Sequence, residues 1–245
     1  MSLFDLTGKV AVITGSSRGI GKAIAEAMAD AGAKVTISSR KPGPCQEVAD
    51  AINAKHGEGT AIAVPANISS KEDLQAMVDA TNEAFGKIDI CVCNAASNPY
   101  YGPMSGIEDD AFAKILQNNI ISNNWLIQMC APQMRERKDG AVIIVSSIGG
   151  LRGSPVIGAY NISKAADFQL ARNLATEFGV DNIRVNCIAP GLIKTDFAKA
   201  LWDNPDTLKR SLSGTPLKRI GEPEEIAGAA VYLASKAGAY MTGQM

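Results

Sequence analysis

The chain is poor in the residue types that build metal and disulfide sites. Among 245 residues there is one histidine, His56, and five cysteines, Cys45, Cys91, Cys93, Cys130 and Cys187, an odd and scattered set. A single imidazole with no cysteine pair of ligand spacing argues against a zinc site, and no metal is expected. An odd thiol count, with no basic-then-apolar signal in MSLFDLTGK, speaks for a reducing, cytoplasmic setting rather than a disulfide framework. No apolar run approaches the length of a membrane span, so a soluble protein without a membrane partner is expected. There is also no excess of one charge. Lys and Arg total 24 against 25 Asp and Glu, whereas a protein that neutralises many phosphates usually carries a basic surplus. Nucleic acid is therefore not an expected partner.

What the chain does have is an ordinary globular balance, 46% apolar and 20% charged, and enough length for one large core. Short apolar runs alternate with segments of helical period. Lys9–Thr14, Lys34–Ser38, Gly59–Pro65, Ile88–Cys93, Ala141–Ser146 and Arg184–Ile188 read as buried strands. Between the first two, Ile20, Ala23, Ile24, Ala27, Met28 and Ala31 recur at steps of three and four, one face of a helix that Gly32 ends. Pro44–Lys55 is helical, and Ser70 with Asp73 three residues on is a capping-box start. Long helices are expected up to about Met134 and from about Ala159 to Phe178, with a last one opening at Glu222-Pro223-Glu224-Glu225. Nearly all-apolar strands separated by helices of ten or more residues imply parallel pairing with helices on both faces. The expected fold is a doubly wound α/β sheet of six strands in a single domain spanning 1–245.

Thr14-Gly15-Ser16-Ser17-Arg18-Gly19-Ile20-Gly21 falls where the first strand becomes the first helix. Glycines there allow a sharp turn, close backbone approach to a pyrophosphate and close helix–sheet packing, while the helix start offers free N–H groups. Gly15, Ser17, Arg18, Gly19, Ile20 and Gly21 are thus candidate dinucleotide contacts; a plain turn is the bland alternative. An NAD site would place an acid about twenty residues past the glycines. Here the second strand ends in Ser38-Ser39-Arg40-Lys41, with no acid before Glu47. A guanidinium fork suits a 2′-phosphate that a carboxylate would repel, so Arg40, aided by Arg18, points to NADP(H).

Tyr160 and Lys164 lie four residues apart at the head of a helix, hence on one face. A phenol is a poor base near neutrality unless its anion is stabilised, and an ammonium one turn away does that. Such a pair alone usually means surface residues. Its context is Ser146-Ser147 at a strand end thirteen positions earlier, Asn94 ending the fourth strand and Pro190-Gly191 following the sixth. Ligands of open α/β sheets gather at that edge.

Taken in order, Thr14–Gly21, Asn94-Ala95-Ala96, Asn119, Ser147, Tyr160, Lys164 and Pro190-Gly191 resemble the short-chain dehydrogenase/reductase family in its compact one-domain form, over nearly the whole chain. The resemblance implies that Tyr160 is the general acid/base and Ser147 holds the substrate oxygen. Lys164 would bind the nicotinamide ribose and lower the tyrosine pKa, and Asn119 would anchor a water linking Lys164 to solvent. Asn118 competes for that last role, with Asn119-Ile120 fitting the family's pattern. Asn94 and Ala95 are further cofactor positions, Pro190, Gly191, Ile193 and Thr195 resemble the segment gripping the nicotinamide amide, and Asn67 stands where an acid often lies beside the adenine. The stretches Asn94–Gly102, Tyr160–Lys164 and Ala189–Thr195 look most like NADPH-dependent carbonyl and retinal reductases, with 3-oxoacyl-carrier reductases sharing much of the skeleton. Family members run on past Thr242-Gly243-Gln244 into one more edge strand, so the resemblance implies that the last edge strand is missing here. The resemblance also implies a homodimer or homotetramer through the helices around 111–135 and 159–178.

Phe197, Leu201 and Trp202 fall in a segment, 191–216, that would form a mobile apolar lid or pack as a short helix on the domain. With Tyr100, Tyr101, Leu151 and Val156 they suit a neutral ketone or aldehyde, Arg152 being the one cation placed to meet an anion. A cofactor-binding regulator without turnover is the reading from another class; intact catalytic positions weigh against it.

Overall fold

The computed structural model describes residues 2–245. Six strands, β1 (Val10–Thr14), β2 (Lys34–Ser38), β3 (Ala61–Ala63), β4 (Ile90–Cys93), β5 (Gly140–Val145) and β6 (Ile183–Ile188), form one sheet in the order β3-β2-β1-β4-β5-β6. Every pairing is parallel. The strands are those expected, with β3 and β4 shorter at their ends. The chain order reverses between β1 and β4, so a crevice opens there outside the C-terminal strand ends.

Helices α1 (Gly19–Asp30), α2 (Pro42–His56) and α8 (Glu224–Ala234) cover one face of the sheet around Ile13, Ile24, Met28, Ile37 and Ala230. Helices α3 (Lys71–Phe85), α5 (Ser122–Arg137) and α6 (Gly158–Phe178) cover the other around Leu74, Ile127, Met134, Ile144 and Phe178. Cys91 and Cys93 share this second face with Sγ atoms 4.0 Å apart, and all five thiols are free and buried. Ser70 caps α3 as expected, its Oγ accepting from the Asp73 N–H at 3.0 Å, but the reciprocal half of the capping box does not form: Asp73 accepts from the Asn67 N–H and the Ser70 N–H donates to the Asn67 carbonyl. The long helical stretch before Met134 is broken into α4 (Asp109–Leu116), one π-turn (Gln117–Ile121) and α5. An extra residue in one turn rotates the side chains that follow, so Asn118 and Asn119 both point inward.

Beyond β6 the chain forms a 3-10 turn (Asp196–Leu201) that carries Phe197 and Leu201, followed by α7 (Pro205–Ser213) within the segment expected as a lid or a short helix. Pairing of Ile193 with Gly221 closes the base of this excursion. After α8, residues 242–244 return along the outer edge of β6: the Gly243 N–H donates to the Val185 carbonyl and the Cys187 N–H to the Gln244 carbonyl, at 2.7 and 2.8 Å. Among the described residues no helix is long and apolar enough to cross a membrane.

Arg184 ties this edge to α8. Its guanidinium donates to the carbonyls of Leu233, Ala234 and Gly238, acceptors that a helix end leaves without partners. Burial lowers its pKa, the sign of a charge held out of water for these contacts. Arg184→Met is expected to reduce stability by about 2–3 kcal/mol, since several half-buried carbonyls lose a charged donor. The urea midpoint at unchanged slope measures it.

Candidate active site

The glycine turn comes first, because the strand end and helix start meet in it. Gly15 and Gly19 have φ of +66° and +55°, the left-handed region that side chains disfavour. At Gly21 a Cβ would lie 2.4 Å from both Asn94 Nδ2 and the Gly15 carbonyl. Asn94 causes this crowding: its Nδ2 donates to the Thr14 and Gly15 carbonyls at 2.9 and 3.1 Å. Thr14 Oγ1 in return accepts the Asn94 and Ala95 N–H groups at 3.0 and 3.1 Å. The turn is thus stitched to the end of β4, with the start of α1 left open. No side chain caps that helix, so its first N–H groups remain available to an anion. Gly15, Ser17, Gly19, Ile20, Gly21, Asn94 and Ala95 are brought together here as expected.

Arg40 follows β2 and is exposed. Arg18 is exposed too, but its guanidinium pairs with Asp196 at 3.1 Å rather than pointing towards Arg40. With both partners mostly in water, this ion pair is weak and readily exchanged. Asn67 follows β3, exposed, its side-chain oxygen accepting from the Ser69 N–H.

Across the crevice, Tyr160 is half-buried in the first turn of α6 and Lys164 is buried one turn later. Lys164 Nζ lies 5.7 Å from the Tyr160 ring centroid, so the helical spacing puts the two on one face. It donates to the Val145 carbonyl and to Asp167 Oδ2, both at 3.0 Å. Burial, the largest single influence, would lower the Lys164 pKa, but the Asp167 carboxylate together with the facing Tyr160 outweighs it and holds the ammonium above its ordinary value. Ser146 and Ser147 split their duties. Ser146 is buried and donates to the Lys164 carbonyl at 2.7 Å, fixing α6 to the end of β5. Ser147 is half-buried and its Oγ accepts from the Gly149 N–H at 3.0 Å.

The π-turn separates the two asparagines. Asn118 bonds to the hydroxyls of Ser69 and Ser97 on the side of α3. Asn119 faces α6, donating to Ser163 Oγ at 2.9 Å and to the Ser97 carbonyl at 3.1 Å. Ser163 Oγ donates in turn to the Tyr160 carbonyl. Pro190 accepts the Ile148 N–H, Ile193 is buried and Thr195 caps the following 3-10 turn, so the expected segment runs beside the crevice. Phe197, in that turn, lies 6.0 Å from the Tyr160 ring.

Sequence reasoning missed Asp167 and Asn123. Asp167 is buried, and its Oδ1 accepts from Asn123 Nδ2 at 3.2 Å. The signal was an acid three residues after Lys164, on the same face as the apolar Phe168, Ala171 and Leu174.

Comparison with known proteins agrees with this architecture. A family model described as "Enoyl-(Acyl carrier protein) reductase" matches residues 15–245. Dehydrogenase/reductase SDR family member 4 of Homo sapiens is 39% identical over 243 residues, covering 98% of this chain and 85% of the relative. The protein of the same description from Oryctolagus cuniculus is 40% identical over 240 residues, covering 98% and 91%. A 7 alpha-hydroxysteroid dehydrogenase complexed with NADH and 7-oxo glycochenodeoxycholic acid superposes with TM-score 0.93 at 36% identity, covering 98% of this chain and 92% of that one. The RhlG/NADP active-site complex of Pseudomonas aeruginosa does so with TM-score 0.92 at 34% identity, covering 100% and 96%. A parallel sheet with a glycine turn at its point of strand reversal, a tyrosine and lysine on one helical face and matches over nearly the full length lead to one conclusion: the chain belongs to the short-chain dehydrogenase/reductase family of oxidoreductases.

Proposed function

We propose that the protein is an NADP(H)-dependent reductase or dehydrogenase acting on a neutral, largely apolar ketone or aldehyde and the matching alcohol. The observation that carries this reading is the Tyr160–Lys164 pair at the crevice, with the ammonium 5.7 Å from the phenol ring. When bound, the dinucleotide supplies or accepts the hydride. The glycine turn suits such a group, because no side chain caps α1 and its first N–H groups stay open to a phosphate. Arg40 and Arg18 favour the 2′-phosphorylated form, since no acid stands at the end of β2 to take a ribose hydroxyl.

In carbonyl reduction Tyr160 Oη gives its proton to the substrate oxygen as negative charge develops there, and Ser147 Oγ donates a hydrogen bond to the same oxygen. Lys164 holds the phenolate left behind. Two of its three N–H donors are taken by Val145 and Asp167, and the third is free for a ribose hydroxyl. Asn119 keeps the π-turn against α6, where a water path to Lys164 would run. Pro190, Gly191, Ile193 and Thr195 orient the nicotinamide end, and Asn67 lies on the adenine side.

Exposed apolar side chains on the loops at this edge, Tyr101, Met104, Leu151 and Phe197, support an apolar substrate. The segment 191–216 serves as its lid, hinged at the Ile193–Gly221 pairing. The whole of 1–245 then works as one unit, and it assembles as a homodimer or homotetramer through the helices around 111–135 and 159–178, where Ile121 and Ile162 are exposed.

Purified protein is expected to oxidise NADPH with neutral ketones and aldehydes in preference to acetoacetyl thioesters. A preference for the thioesters would instead favour a 3-oxoacyl-carrier reductase. Tyr160→Phe should lower kcat/KM by roughly 10²–10⁴-fold with NADPH affinity little changed, as removal of a general acid does. NADPH binding without oxidation of any carbonyl in the panel would revive a cofactor-sensing role. Gly21→Ala should abolish NADPH binding in a fluorescence titration, and Arg40→Asp should weaken NADPH by more than tenfold while sparing NADH, given about 1.4 kcal/mol per decade.

A further inference from the structure

A carboxylate at full burial beside an essential lysine calls for an explanation. Asp167 lies on the sheet-facing side of α6, between Lys164 and Phe168, where an apolar side chain would pack without desolvation loss. Replacing a buried ion pair by apolar groups is often neutral or stabilising, so the pair is no obvious aid to the fold. Its carboxylate instead meets Lys164 on one side and Asn123 on the other. Oδ2 accepts from Lys164 Nζ at 3.0 Å, and Oδ1 accepts from Asn123 Nδ2, which also donates to the Asn119 carbonyl at 2.6 Å. One chain of contacts therefore joins Tyr160, Lys164, Asp167, Asn123 and Asn119.

The other groups around the pair bring no compensating charge. From β5 come the Val145 carbonyl and Ser146, and from α5 the neutral Asn123. From β6 comes Cys187, whose thiol burial pushes well up, and from β4 Cys93, whose thiol the neighbouring Cys91 and burial also raise. Both sulfurs stay protonated. On α6 itself, Arg172 is the outlying cation that reaches Cys187 electrostatically. Burial raises the Asp167 pKa, against which Lys164, Asn123 and Ser146 act; as a carboxylate Asp167 is the one anion able to offset Lys164 from behind, while Tyr160 faces the same ammonium from the crevice.

We propose that Asp167 is a positioning residue: it pins the Lys164 ammonium between β5 and α6 and cancels part of its field at Tyr160. The phenol then gives up its proton at a higher pH than Lys164 alone would set. The sign follows from charge. So long as Lys164 keeps its proton against burial, taking away the negative group leaves the ammonium uncompensated, which favours phenolate over phenol at Tyr160. Alcohol oxidation, which needs Tyr160 as base, would then persist to lower pH.

This inference rests on the hydride-transfer reading, so its main readout needs no turnover. The tyrosinate absorbance of the full chain is titrated in Asp167→Asn and in wild type, each corrected with the matching Tyr160→Phe protein. The expected result is a Tyr160 titration about one unit lower in Asp167→Asn, a tenfold change in proton concentration, with the acidic limb of kcat/KM for a secondary alcohol and NADP+ moving alongside. A purely structural role would reduce thermal stability or kcat and leave that titration where it was. An unmoved or raised titration in folded Asp167→Asn overturns the proposal. Should that variant not fold, Asp167→Ser is read in the same way. Failure of wild type to oxidise NADPH on any carbonyl sinks the reductase reading and leaves the phenol titration informative.

Discussion

The site depends on the side-by-side ending of β1 and β4, which Thr14 and Asn94 lock together by four hydrogen bonds. These two strands are the ones between which the chain reverses its order in the sheet. No crossover helix fills the space beyond them, so a crevice is forced by topology and not by any special loop. The lock uses backbone groups that a strand end would otherwise leave unsatisfied, and it aligns the glycine turn with the loops after β4 and β5.

From that edge outward, the polar residues do two kinds of work. Ser146, Ser163 and Asn119 hold α6 and the π-turn in place through its own backbone and hydroxyls. Tyr160 and Ser147 stay half-buried beside the crevice, with Lys164 buried behind them. Holding the reacting groups on a helix that is bonded at several points to the sheet gives them fixed geometry before any ligand arrives, which is what positional catalysis requires. The excursion over the crevice is held differently, by its pairing at Gly221, a surface ion pair and the contact of Phe197 with Tyr160. Few buried contacts retain it, and segments of that kind open at low free energy.

Much of this was legible before any coordinates. The six strands, the Ser70 cap and the two-faced helical cover follow from apolar period, because a parallel strand must be buried on both sides. The family itself was readable from the order of Thr14–Gly21, Asn94, Asn119, Ser147, Tyr160 and Lys164. Strand β3 is shorter than its apolar run, and within 191–216 the bounds of α7 could not be read, since its nine residues carry few apolar side chains to set a period. Arg18 pairs across the surface with Asp196, a partner 178 residues away that no local pattern could suggest.

The amino-acid order by itself determined the secondary structure, the parallel sheet and the helical spacing that joins Tyr160 to Lys164, all consequences of short-range sterics and of which residues avoid water. Only the tertiary structure decided which of Asn118 and Asn119 faces α6, since that turns on the rotation added by the π-turn. It also decided that Asp167 meets Lys164 inside the protein and not in solvent. The physical reason is that burial belongs to the packed sheet and its helices together: an acid three residues from a lysine is an ordinary surface pair until a strand end and a second helix close over both.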